Sequence, residues 1–137
     1  MSDAGYSGTP LTKKVGVKPE HTVVLLHAPT GWTLPDLPPG VSIEDKLVDA
    51  PDIVIAFYRA RDELAVDLPT VVERLTPTSA YWIAWPRKAG GHTSDITENL
   101  LRELVLPTGL VDVKVAALDQ DWSGLKFLWR KNQRPKS

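Results

Sequence analysis

The chain has 137 residues, with 16 lysines and arginines against 17 aspartates and glutamates, and no cysteine. That length fits one domain able to bury a core without staples. The missing cysteines exclude disulfides, thiolate zinc sites and cysteine nucleophiles, and a formal net charge of -1 argues against a general nucleic-acid surface, which leans on clustered excess cations. No basic segment followed by an apolar one opens the sequence, and no apolar run approaches the ~20 residues of a membrane helix. A cytoplasmic domain is the expectation.

Residues 1–8 are rich in glycine and serine and read as a flexible arm, 9–131 as a single α/β domain and 132–137 as a basic tail. Thr9 as cap, Pro10 at the first helical position, Leu11 and Val15 four apart and the closing Gly16 predict a short helix. The run Val23-Val24-Leu25-Leu26, between His21 and His27, has the length and continuity of a buried strand. Prolines and glycines through 28–40 forbid a long helix and leave room for one turn around Trp32 to Leu37. Val41, Ile43 and Leu47 alternate with polar residues as a half-exposed strand does.

Asp52 to Tyr58 repeats the buried-strand signature. Leu64, Leu68, Val71, Val72 and Leu75 keep helical spacing over 61–75, with Pro69 predicting a kink or a division into two helices. Tyr81 to Trp85 is a third apolar run, which Pro86 should end because it cannot donate to a ladder. Asp95 and Glu98 stand at capping-box spacing before the apolar face Ile96, Leu100, Leu101, Leu104 and Val105. Val111 to Leu118 and Leu125 to Trp129 form an antiparallel hairpin. The result is a three-layer, Rossmann-like α/β domain with a mostly parallel sheet of about six strands, in the order 2-1-3-4-6-5.

The segment with most chemistry follows the third buried run. Arg87, Lys88, Gly90, Gly91 and Ser94 precede a helix, where free N–H groups, the helix dipole and two cations suit a phosphate or carboxylate. The competing reading makes the glycines turn residues, Ser94 or Asp95 the cap, and Arg87 and Lys88 solvated cations; Asp95 would itself oppose an anion. His27 and His92 are the candidate proton-transfer groups, although a histidine in such a place is more often simply a partly exposed polar residue. With His21 they form no metal-ligand spacing, so no metal is expected. Trp32 and Trp122 fall in predicted loops and are candidates for lining a cleft or a partner surface.

The succession of buried strand, helix, buried strand, helix and antiparallel hairpin resembles the second half of the S-adenosylmethionine-dependent methyltransferase fold over about Val23 to Lys131. The segments GYSGTPL (Gly5 to Leu11), WIAWPRK (Trp82 to Lys88) and WSGLKF (Trp122 to Phe127) resemble those of a bacterial, largely actinobacterial, domain family of unknown function. Methyltransferases carry a glycine-rich turn after the first strand, because close approach to the cofactor leaves no room for side chains. Here that segment is His27-Ala28-Pro29-Thr30-Gly31-Trp32, and one strand-helix unit is absent, so no cofactor is expected. Glu44 or Asp45 stands where a ribose-binding acid would be.

The function expected is a non-catalytic binding or regulatory domain that recognises a small anion or a protein at the strand C-terminal edge. The alternative is a small enzyme for a nucleotide or other anionic metabolite, with Lys88 and Ser94 holding the anion and His27 or His92 handling protons. A homodimer through the hairpin edge is a third reading. The enzyme reading needs His27, His92 and Lys88 to share a pocket; the interaction reading needs an exposed apolar patch at Trp32 or Trp122.

Overall fold

The computed structural model describes residues 10–130; the arm at 1–8, Thr9, Lys131 and the tail at 132–137 lie outside them. In chain order the elements are α1 (Leu11–Val15), β1 (Thr22–Leu26), β2 (Ser42–Glu44), β3 (Ile53–Phe57), α2 (Arg61–Arg74), β4 (Ala80–Pro86), α3 (Glu98–Val105), β5 (Leu110–Ala117) and β6 (Trp122–Trp129). Single 3-10 turns occupy Lys88–Gly90 and Leu106–Thr108. The strands form one sheet in the order β2-β1-β3-β4-β6-β5, the order expected from the sequence. Strands β2, β1, β3 and β4 are parallel, and β6 runs antiparallel to both β4 and β5.

Strand alternation divides the core between two faces. Val24, Val54, Ala56, Tyr58, Tyr81 and Ile83 pack with Leu64, Leu68 and Val71 of α2 and Leu101 and Val105 of α3. Val23, Ile53, Ile55, Phe57, Trp82 and Ala84 face the other way, onto Val15 of α1, Val17 and Leu34. This second face is covered by one short helix and the 28–41 connection, so its packing relies on large side chains. Trp82 is wholly buried there, and its indole Nε1 donates to the Val15 carbonyl at 3.0 Å. A Cβ on Gly124 would approach both Leu118 and the Trp82 ring to 3.0 Å, which is why β6 crosses Trp82 with a glycine.

Four local expectations are corrected. α2 is one continuous helix with Pro69 inside it, not two; Pro69 and Ala65, whose carbonyl loses its partner, are both exposed residues, on the side where solvent has access. β4 runs on to Pro86, which pairs with Trp122, and the Arg87 amide then donates to the Asp121 carbonyl at 2.8 Å. The cap of α3 is Thr97, whose hydroxyl accepts from the Leu100 amide at 3.1 Å, so the helix starts later than Asp95 and Ile96. No helical turn forms between Trp32 and Leu37. On the free edge of the sheet, β5 carries a bulge between Asp112 and Lys114.

Candidate functional site

The end of β4 and the start of α3 enclose an open cleft of about 480 Å³, lined among others by Arg87, Lys88, Ser94, Thr97, Glu98 and Arg102. Of the residues singled out in the sequence, Arg87, Lys88 and Ser94 therefore meet. Their states differ. The Arg87 guanidinium donates to the Asp119 carbonyl at 3.1 Å. The Ser94 hydroxyl donates to the Arg59 carbonyl at 2.9 Å and accepts from the Ile96 amide at 3.1 Å. Lys88 is exposed and pairs with no described residue. Arg102, which the sequence reading passed over, bonds Asp112 and Glu98 at 3.0 and 3.1 Å, and the Asp112 bond holds its pKa above the already high arginine value.

The glycines shape this loop. The Gly90, Gly91 and His92 amides all donate to the carbonyls of Arg87 or Lys88. A Cβ on Gly90 would lie 2.5 Å from the Gln120 carbonyl oxygen, and Gly91 has φ +85°, a conformation glycine adopts without steric cost. Asp95 faces away from the cleft's chemistry: its carboxylate accepts from the Arg61 amide at 2.8 Å, capping α2. The acid expected to repel an anion is thereby spent on another helix.

His27 belongs to a different constellation. It follows β1 with φ +58°, a left-handed conformation that costs a non-glycine residue on the order of 1 kcal/mol. Its Nε2 lies 2.8 Å from Asp67 Oδ2, and the Tyr58 hydroxyl donates to the same oxygen at 2.9 Å. Tyr58 and Tyr81 join at 2.8 Å through their hydroxyls. Burial raises both tyrosine pKa values well above the ordinary one, with neighbouring Tyr81 and Asp67 adding to the rise at Tyr58; both phenols are neutral donors. Asp67, Tyr58 and Tyr81 were not foreseen, although a tyrosine inside an apolar strand signals a hydroxyl needing a partner. His27 and Asp67 line a second cavity of about 480 Å³ with Phe57, Arg59, Glu63 and Val66. His92 sits in neither cavity's wall and bonds Asp121 Oδ1 at 2.9 Å. Lys88, His27 and His92 are thus not brought together.

Across the C-terminal ends of the strands runs an aromatic row. Trp32 meets Phe57 edge-on with centroids 4.8 Å apart, and Phe57 meets Trp122 at 5.1 Å. The Trp32 indole donates to Asp119 Oδ2 at 3.0 Å, and the Arg59 guanidinium lies 5.1 Å over the Trp122 ring. Trp122 is the first residue of β6 and is buried; Trp32 is half-buried. The large apolar side chains standing exposed among the described residues are others: Leu37, Ile43, Val66, Val113 and Val115. Among the described residues, no three histidine, aspartate or glutamate side chains gather to hold a metal, and no helix is long and apolar enough to cross a membrane.

No family model and no curated protein matches the chain. Solved structures do. The ribosomal protein L11 methylase of Lactobacillus delbrueckii subsp. bulgaricus superimposes with a TM-score of 0.57 at 9% identity, over 88% of this chain and 75% of that one. The fibrillarin pre-rRNA processing protein of Methanococcus jannaschii gives 0.57 at 13% identity, over 91% and 70%. TrmN of Thermus thermophilus gives 0.56 at 13% identity over 88% of this chain; this chain spans 47% of TrmN's length. What the likeness shows is the fold: a Rossmann-like α/β sheet, mostly parallel, with an antiparallel C-terminal hairpin, as in these structures.

Proposed function

We propose that the protein is a non-catalytic binding domain that uses this methyltransferase-like scaffold to hold a small anion in the cleft between β4 and α3. The observation that carries the reading is Lys88, a cation with no described partner, at the mouth of a cleft that also contains Arg87 and Arg102. α3 opens into the same cleft with a neutral cap, Thr97, so its first amides and its dipole favour an anion there. Glu98 offsets part of this charge and is itself paired with Arg102.

The absence of a methyl-transfer role is supported from the other side of the strand ends. Where the fold ordinarily receives its ligand, outside the carboxyl ends of the strands, this chain sets Trp32 against Phe57 and ties it to Asp119. A tryptophan held by ring and indole N–H replaces the glycine-rich turn that close cofactor approach requires.

Calorimetric titration of the wild-type protein with acetate, inorganic phosphate and AMP, repeated on Lys88→Ala, tests the reading. A saturable heat with at least one anion, weakened about tenfold or more by the substitution as loss of a charge-assisted bond implies, is the expected result. Binding unchanged in a folded Lys88→Ala protein contradicts it.

A further inference from the structure

At the opposite end of the parallel strands lies a cavity of about 290 Å³, lined by Val15, Gly16, Lys18, His21, Asp52 and Lys126 among others. Its charges result from sheet register. Lys126 is on β6, beside Trp82 of β4 on one side and Lys114 of β5 on the other. Like charges directly opposite on neighbouring strands destabilise a sheet. The Lys114 ammonium has an outlet, donating to the Lys14 carbonyl at 3.1 Å. Lys126 has none among the described residues, although it is only partly exposed.

Lys18 and His21 add donors to the same wall. His21 Nδ1 accepts from the Lys18 amide at 3.2 Å, which places the ring's proton on Nε2. The one carboxylate of the wall, Asp52, accepts from the Thr22 amide at 2.8 Å. Burial, followed by the charges of Lys114 and Lys18, holds the Lys126 ammonium below the usual lysine range. A chain with 17 acidic residues and a net charge of -1 has set two lysines, Lys18 and Lys126, in this wall, with Lys114 beside Lys126 on β5, and only one, already engaged, carboxylate, that of Asp52.

We infer that this cavity, with Lys126, Lys18 and His21 in its wall, is a second binding site, for a phosphate group. The chemistry asks for a dianion, because one carboxylate would leave the paired lysines undercompensated. The volume admits a phosphate or pyrophosphate and falls just below the range of ~300–1,000 Å³ that encloses whole drug-sized ligands. The inference is independent of the cleft at α3, since it uses none of the same residues.

The competing account is that the lysine stems merely cover apolar surface around Trp82 while their heads are solvated. Lys126→Met keeps the stem and removes the head, and so separates the two. The isotope-labelled wild-type protein is titrated with inorganic phosphate, pyrophosphate and AMP at constant ionic strength, and amide resonances are followed. Saturable shifts at Gly16, Lys18, His21 and Lys126 are expected, with affinity at least about tenfold lower in Lys126→Met and unchanged in Lys88→Ala. Pyrophosphate binding with no AMP binding marks a free anion as the ligand; binding of both marks the phosphate group of a larger molecule. Shifts that grow linearly without saturation, that appear only around Lys88 and Ser94, or that persist in Lys126→Met overturn the inference.

Discussion

At the C-terminal ends of the parallel strands, His27 is answered by Asp67, His92 by Asp121 and Arg102 by Glu98 and Asp112, while Arg87 donates to the Asp119 carbonyl. Lys88 alone among these cations pairs with no described residue. At the N-terminal ends Lys126 stands directly beside Lys114, and the nearby carboxylate of Asp52 is committed to a backbone amide. Both ends carry cations, but compensation differs. Where a charge has its partner, the group fixes a loop or a helix start, and at this end Lys88 is the one of these cations left to meet a ligand. Where like charges are pressed together, the fold bears a cost that an added anion would remove.

The comparison is sharpened by substitutions at either end. The largest effect is expected for Tyr58→Phe, which strands the buried Tyr81 hydroxyl and removes a donor from Asp67; unpaired buried polar groups cost about 1–3 kcal/mol, measurable as a lower midpoint in urea. Gly90→Ala follows. Its Cβ would meet the Gln120 carbonyl oxygen, and forcing backbone apart costs roughly 1–2 kcal/mol, so thermal unfolding should show a loss without any change at the lysine cluster.

Lys126→Met is predicted to act in the opposite direction. Removing a like-charge cross-strand neighbour should stabilise the protein by a few tenths to about 1 kcal/mol at neutral pH and low salt. The pH dependence follows from the lowered pKa. Below its folded-state value the ammonium is charged in both states, and folding carries the full cost of burial and repulsion. As pH rises from there towards the ordinary lysine value of 10.5, the folded state releases its proton first and the cost disappears. The advantage of Lys126→Met in melting temperature should therefore shrink with rising alkalinity. The smallest change is expected for Lys88→Ala, an exposed cation without a described partner, which should stay within about 0.5 kcal/mol of wild type. A large destabilisation by Lys88→Ala would break the contrast between the two ends.

The sheet was legible because three continuous apolar runs and one hairpin are strong, local signals. Val23 to Leu26, Asp52 to Tyr58 and Tyr81 to Trp85 fall on β1, β3 and β4, and their order in the sheet follows. Caps were less legible. Asp95 and Glu98 have capping-box spacing, but Asp95 lies against the start of α2 and serves that helix, a choice made by tertiary contact. Pro69 does not divide α2 into two helices, which is the one of the two expected outcomes that the structure overturns; sequence alone does not say that Pro69 and Ala65 lie on the exposed side.

The two cavities with unforeseen chemistry illustrate why sites are harder. His27 and Asp67 are forty residues apart and meet only because α2 packs across the ends of β1 and β3. The lysine cluster depends on a bulge. Regular alternation along β5 would put Asp112 and Lys114 on the same face, but the extra residue at Val113 lets Asp112 pair with Phe127 and Lys114 with Lys126. Lys114 thus turns to the α1 face, towards Lys18 and Lys126. A single register shift, invisible in composition or spacing, gathers the charges.

The most direct test of the proposed function is the melting temperature of the wild-type protein with S-adenosylmethionine, S-adenosylhomocysteine and small anions, measured beside Lys88→Ala, since any ligand of the native state raises it. The account predicts no shift with either S-adenosyl compound and a shift with a small anion that Lys88→Ala diminishes. A saturable rise with S-adenosylmethionine would contradict it, showing that Trp32 yields its place to the cofactor.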